Sequence, residues 1–207
     1  MNKFFTIDAH QDIAFHLSYY NRDFVNPKKP CMITLPGLKE AGIRVVFNTV
    51  FIHPKFKPTK SVENAMLQLD LYDELYNQYP EDVTQINTIF DLENLKDNEK
   101  IGFLTLMEGA DPVRKPEDLY EFYERGVRIL GPTWNNKNIY ASGPDTDEGL
   151  SDLGYELINI MNELSITLDL SHLNEKSFWQ AIDSTQFIPV ATHSNARALT
   201  NHPRNLK

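Results

Sequence analysis

Four apolar runs, each stopping at a side chain able to bind metal, constrain this chain more than any other feature. Phe4-Phe5-Thr6-Ile7-Asp8-Ala9 leads into His10-Gln11-Asp12, Ile101 to Met107 into Glu108-Gly109, Ile166 to Ser171 into His172, and Ile188 to Thr192 into His193-Ser194. Read as strands, the runs deliver imidazole or carboxylate at their carboxyl ends. In a barrel of parallel strands those ends share one face, so side chains distant in sequence meet in one pocket. A lone His-x-Asp says little. The same grammar repeated along the chain says much more. Pleat alternation points His10 and Asp12 the same way, just past the end of the first strand.

Helical patterns fill the intervals. Ile13 to Tyr20 begins a short helix whose spacing turns His16 away from His10, leaving His16 a supporting or surface role. Asn26 to Pro30 reads as loop. Leu35 to Gly42 is a brief helix closed by glycine. The second strand, Ile43 to Ile52, has the valines and phenylalanines of a strand buried on both faces. His53 follows it and is assigned to the pocket wall rather than to metal. Ser61 is expected to cap a helix through Tyr79, with Ala65, Met66, Leu69, Tyr72, Leu75 and Tyr76 on its apolar side. A short polar helix over 91–98 precedes the third strand. Another over 117–125 precedes the fourth, Val127 to Leu130, and the loop Gly131-Pro132-Thr133-Trp134-Asn135-Asn136. Ser151 is expected to cap a helix through Leu164, with Leu153, Leu157, Ile158, Met161 and Leu164 inward, and Asn174 to cap the next.

This alternation, without internal repeat or linker, predicts one α/β domain over residues 1–207, a TIM-type (β/α) barrel. A complete eight-stranded barrel takes about 250 residues. The expectation is therefore a barrel truncated after about six β/α units, its C-terminal part missing. An open barrel exposes apolar edges, and a second chain, in a homo-oligomer or as a separate partner, is the expected cover.

A net charge of -9 argues against nucleic acid or an anionic membrane as the main partner. The single cysteine, Cys31, excludes an intramolecular disulfide. No apolar run approaches the roughly 18 residues of a membrane span. The short apolar stretch after Lys3 meets Asp8 and His10 too early for a signal peptide. A cytoplasmic protein with no membrane partner is the expectation. Glu108 directly follows an unbroken apolar run, where a carboxylate costs desolvation unless a cation meets it. Imidazole and carboxylate suit zinc, and other divalent transition metals accept the same mixed ligands.

Asp8-Ala9-His10-Gln11-Asp12, Met107-Glu108-Gly109, Gly126-Val127-Arg128 with Asn135 and Asn138, Asp169-Leu170-Ser171-His172, and Thr192-His193-Ser194 followed by His202-Pro203-Arg204-Asn205 occur in this order along the chain. Together they resemble the membrane dipeptidase (renal dipeptidase) family of zinc peptidases, peptidase family M19. The resemblance implies a barrel of the metal-dependent hydrolase kind and a zinc-dependent dipeptidase, which cleaves short dipeptides through a hydroxide bridging two Zn2+ ions. It assigns His10 and Asp12 to one ion, His172 and His193 to the other, and Glu108 to both, as the catalytic bridging carboxylate. Asp169 and Ser171 are expected to support the ligating histidines. Arg204 matches the family arginine that grips the substrate's terminal carboxylate, a task suited to a guanidinium fork.

Trp134 stands where many family members have a histidine that stabilises the tetrahedral intermediate. Indole cannot act as an acid, and its one N–H is a weaker oxyanion donor. Trp134 is therefore expected to line the substrate site with Asn135, and Asn135 or Asn136 to substitute partly for the histidine. The family's late aspartate, which moves protons to the leaving amine, falls beyond Lys207. Two alternatives stay open: a non-catalytic metal-binding remnant of the family, and another metal-dependent barrel hydrolase acting on lactones, phosphoesters or cyclic amides.

Overall fold

The computed structural model describes residues 4–28 and 31–207; Lys3, and the Lys29 and Pro30 of the expected loop, lie outside the described residues. The chain runs β1 (Thr6–Gln11), α1 (Ile13–Tyr20), α2 (Leu35–Ala41), β2 (Ile43–Phe51), α3 (Ser61–Gln78), β3 (Val83–Gln85), α4 (Ile89–Asn94), β4 (Ile101–Phe103), β5 (Thr105–Glu108), α5 (Leu119–Glu124), β6 (Val127–Gly131), α6 (Asp152–Leu164), β7 (Thr167–Leu168) and α7 (Glu175–Ser184). Every pairing is parallel: β1 with β2, β2 with β4 and β5, β3 with β4, β5 with β6, and β6 with β7. Parallel strands joined through helices bring all their carboxyl ends to one face of a TIM-type barrel wall.

The strands differ from expectation in three places. The third expected strand is interrupted at Leu104, whose N–H still bonds to Val46 O at 2.9 Å. Below the break β4 lies between β2 and β3; above it β5 lies between β2 and β6. The partner β3 escapes a periodicity reading because it is three residues long with one apolar side chain, Val83. The sixth expected strand, Ile188 to Thr192, contracts to a single parallel bridge between Val190 and Asp169. Pro189 lacks the N–H a ladder needs, and Ile188 is 88% exposed.

Helix boundaries depart less. Lys60, not Ser61, occupies the N-cap of α3, and Ser61 is buried in its first turn. The polar helix expected over 91–98 begins at Ile89 instead, under a Thr88–Asp91 capping box, and tightens at Leu95. Ser151 and Asn174 cap α6 and α7 as expected, accepting from Gly154 and Ser177 N–H. Leu153, expected inward, lies on the exposed side.

The core packs Val46, Val50, Met107, Leu130 and Leu168 of the strands against Leu69 and Tyr72 of α3 and Leu157, Ile158 and Met161 of α6. The buried Tyr72 hydroxyl accepts from Ala14 N–H at 3.1 Å and donates to Thr49 O at 2.7 Å. It therefore ties the first turn of α1 to β2, next to Asp12. Among the described residues no helix is long and apolar enough to cross a membrane.

Candidate metal centre

Strand β5 is buried along its length and ends at Glu108, itself buried. Glu108 Oε1 lies 2.9 Å from His172 Nε2, 3.1 Å from His193 Nε2 and 3.8 Å from His10 Nε2. His10 comes from the end of β1, and Asp12 from the turn into α1, where its Oδ1 is 3.8 Å from His10 Nε2. Asp12 also accepts a hydrogen bond from the Thr49 hydroxyl of β2. His172 follows β7 with φ at +70°, a left-handed conformation uncommon outside glycine. His193 follows the Val190 bridge. The sequence-predicted ligands His10, Asp12, Glu108, His172 and His193 thus meet, and those of His10, Glu108 and His193 lie within 4.8 Å of one another.

The two halves of the cluster are spaced differently. His10 Nε2 is beyond hydrogen-bond reach of both carboxylates, and His10 Nδ1 is buried without a partner. Two ligand atoms at about 2.1 Å from a tetrahedral ion sit roughly 3.4 Å apart. The His10 half is close to that spacing. His172 Nε2 and His193 Nε2 are instead 2.8 Å apart, at hydrogen-bond spacing. An unpaired buried imidazole facing two carboxylates, with two further imidazoles across the shared oxygen, is a donor set that fits divalent metal.

Electrostatics agree with the donor set. Burial pushes the Glu108 carboxyl up, but hydrogen bonds from His172 and His193 and the proximity of His10 outweigh it and hold the group well below the usual carboxylate range. Burial, aided by Glu108, raises Asp12. Burial also lowers His10 and His172 against the pull of Glu108. Neutral imidazoles around an ionised carboxylate are in the protonation states that metal binding requires.

Supporting contacts surround the cluster. Asp169 accepts from Ser171 N–H at 2.9 Å, Thr192 N–H at 3.2 Å and the Thr192 hydroxyl at 2.6 Å. Thr192 Oγ1 lies 2.8 Å from His193 Nδ1. With its own proton committed to Asp169, Thr192 Oγ1 offers an acceptor to a proton on His193 Nδ1. Ser171 Oγ accepts His193 N–H at 3.2 Å. Arg204 donates to His172 Nδ1 at 3.0 Å, Ser194 Oγ at 2.7 Å and His193 O at 2.8 Å. Asn135 Oδ1 is 2.7 Å from His172 Nδ1. The Trp134 ring stands between Phe51 and His172, 5.3 and 5.9 Å from them, while Asn136 is exposed.

His16 lines a cavity of about 510 Å³ that also includes His10, Asp12, Phe24 and Ile33. His53 lies in an aromatic group with Phe15 and Tyr19. Sequence reasoning missed Thr49 and Thr192. Thr192 directly precedes a candidate ligand, a usable signal, whereas Thr49 acts across neighbouring strands and leaves no trace in local spacing.

Over residues 1–207 the chain matches the family described as membrane dipeptidase (Peptidase family M19). It is 31% identical to an uncharacterized dipeptidase of Schizosaccharomyces pombe, over 97% of this chain and 54% of that one. It is 36% identical to an uncharacterized protein of Acinetobacter calcoaceticus, over 67% of this chain and 47% of that one. The chain spans about half the length of the curated relatives it matches. A solved metallo peptidase from Rhodobacter sphaeroides, liganded with a phosphinate mimic of the dipeptide L-Ala-D-Ala, is similar at a TM-score of 0.89 and 26% identity, over 99% of this chain and 69% of that one. Dipeptidase AC, a metallo peptidase of family M19, is similar at a TM-score of 0.91 and 26% identity, over 99% and 67%. The fold, the convergent histidines and carboxylates, and the match along the whole chain lead to one conclusion: this chain belongs to the membrane dipeptidase family, peptidase family M19.

Proposed function

We propose that the chain is a zinc-dependent dipeptidase, one barrel domain that holds two Zn2+ ions and hydrolyses the peptide bond of short dipeptides. The observation that carries this reading is one Glu108 oxygen facing the Nε2 atoms of His172, His193 and His10 at 2.9, 3.1 and 3.8 Å. In it, His10 and Asp12 hold one ion, His172 and His193 the other, and Glu108 serves both. Bound there, the ions supply polarisation of the scissile carbonyl and an activated water near neutral pH.

The chain's own residues orient and exclude. Glu108 stays ionised in a buried position, the state a shared ligand needs. Thr49 fixes the Asp12 carboxylate, and Thr192, its own proton on Asp169, offers an acceptor to a proton on His193 Nδ1. Arg204 stands beside His172 with donors suited to the terminal carboxylate of a dipeptide. Trp134 walls the same side, and its indole N–H can donate to a carbonyl oxygen but carries no acid function. The dipeptide mimic held by the Rhodobacter sphaeroides relative supports a dipeptide as substrate.

Metal analysis of the purified chain, paired with hydrolysis assays on L,L- and L,D-dipeptides, tests the reading. About two zinc equivalents with dipeptide turnover is the expected result. A chain that takes up no metal and cleaves no dipeptide overturns it, and full zinc occupancy without turnover replaces it with a non-catalytic metal-binding member of the family.

A further inference from the structure

Arg204 reaches the candidate centre from a loop with little apolar anchorage. Residues 198–203 are exposed, and Leu199 among them is 89% exposed. Hydrogen bonds give the loop its shape instead. Its two limbs close through a parallel bridge between Ala196 and Leu206, with Arg197 N–H donating to Leu206 O at 2.6 Å and Leu206 N–H to Asn195 O at 2.9 Å. Asn205, buried, donates its side-chain amide to Thr200 O at 2.7 Å.

The guanidinium of Arg197 is turned on the backbone around Arg204. It donates from Nη2 to Pro203 O at 2.7 Å and from Nε to Asn205 O at 3.1 Å. These carbonyls belong to the residues on either side of Arg204. The planar fork of one arginine thus holds the main chain that carries the other. Arg204 in turn donates through Nε, Nη1 and Nη2 to His172 Nδ1, Ser194 Oγ and His193 O. Those contacts use three of the five N–H groups of a guanidinium and leave one on each terminal nitrogen. Two donors recognise a carboxylate only in one geometry, so they tolerate little displacement.

We infer that Arg197 is a positioning residue for recognition of the substrate's terminal carboxylate, acting through Arg204 and touching neither ligand nor metal. By fixing the carbonyls of Pro203 and Asn205 it sets where the Arg204 guanidinium stands. The bridge between Ala196 and Leu206 and the Asn205 contact with Thr200 close the loop without that side chain. Loss of the fork therefore loosens Arg204 rather than the fold. This inference rests on the dipeptidase reading above and deepens it: selectivity for a free terminal carboxylate depends on a residue outside the pocket.

Calorimetric titration of the zinc-loaded chain with a phosphinate dipeptide mimic, as the free carboxylate and as its terminal carboxamide, separates positioning from scaffolding. Arg197→Met keeps an apolar stem and removes the fork. It is expected to weaken binding of the carboxylate form about 10–100-fold, the scale of a misplaced positioning group. Binding of the carboxamide form and of zinc should stay as in the parent chain. Dipeptide kinetics should show the same loss in KM with kcat held, the mark of lost uniform binding. Equal losses for both mimics make Arg197 a loop scaffold, and no loss for either makes it a surface arginine; each overturns the inference. Arg197→Lys serves where the methionine variant fails to fold. A single ammonium does not replace a fork, so it too should weaken the carboxylate form alone, and a lysine variant equal to the parent overturns the inference. A parent chain that binds the carboxylate mimic but cleaves no dipeptide removes the dipeptidase reading and leaves this one standing. A parent chain that binds neither mimic removes both.

Discussion

His10 and His193 pack their rings with centroids 3.8 Å apart, although one ends β1 and the other follows the last parallel bridge at Val190. Among the described residues no ladder joins β1 to that bridge. The two ends of the barrel wall are therefore brought together by side chains gathered on Glu108, where an ion would act as a cross-link.

Zinc is accordingly expected to stabilise the chelator-treated chain. A ligand that binds only the folded state adds about 2.7 kcal/mol at 100 times its Kd. At about 2–4 °C per kcal/mol for a domain of this size, Tm rises by roughly 5–10 °C. Differential scanning calorimetry measures it; a Tm indifferent to saturating zinc contradicts the cross-link.

Thr192→Val tests the relay from Asp169 to His193. The change keeps the shape of the side chain and removes the hydroxyl that donates to Asp169 and offers His193 Nδ1 an acceptor. His193 then loses that acceptor, and zinc affinity should fall about 10–100-fold. The folded state should lose about 1–3 kcal/mol, because Asp169 is buried and gives up a donor. Calorimetric titration and urea denaturation read the two effects, and unchanged affinity would show that Thr192 only packs.

The convergence of His10, Glu108, His172 and His193 was legible because each closes an apolar run, and strand ends converge whatever the details of the sheet. Their supports were not. Thr49, Tyr72 and Arg204 act on residues from other elements, and no local spacing encodes a contact across strands or from helix to strand. The same gap explains β3, which exists through its pairing with β4 rather than through its own pattern. At Ile188 to Thr192 the apolar run promised a strand, but pairing on one side only and Pro189 left a single bridge. Arg204 was readable as a carboxylate grip by resemblance alone; its contact with His172 needed coordinates.

Tyr72→Phe should loosen the Asp12 side of the centre. Asp12 makes no side-chain cap for α1, and the Tyr72 hydroxyl serves Ala14 N–H from α3 instead. Losing that oxygen leaves a buried N–H and the Thr49 carbonyl short of partners, a penalty of about 1–3 kcal/mol. Thr49 also holds Asp12, so zinc affinity should fall with stability. A variant within 0.5 kcal/mol of the parent, roughly the scatter of neutral surface changes, rules the brace out.

Acid should destabilise the chelator-treated chain in two stages. Burial lowers His10 and His172 in the folded state, while unfolding returns them to about 6.5. Between those values the unfolded chain binds more protons, so stability rises with pH across the window. The imidazole contribution is therefore complete above about pH 6.5 and is lost as pH falls through the folded values. Glu108, held low against its burial by His172, His193 and His10, contributes above its unfolded value of about 4.3 and loses that contribution as pH falls through its depressed one. Asp12, raised by burial, works in the opposite direction and softens the slope. Glu108→Gln removes the charge that partly offsets burial at both histidines. It should steepen the loss below pH 6.5 and abolish the second stage. Urea midpoints measured from pH 7 to 3 with chelator present decide it: a parent chain with a flat midpoint between pH 7 and 5 is incompatible with buried neutral imidazoles at positions 10 and 172.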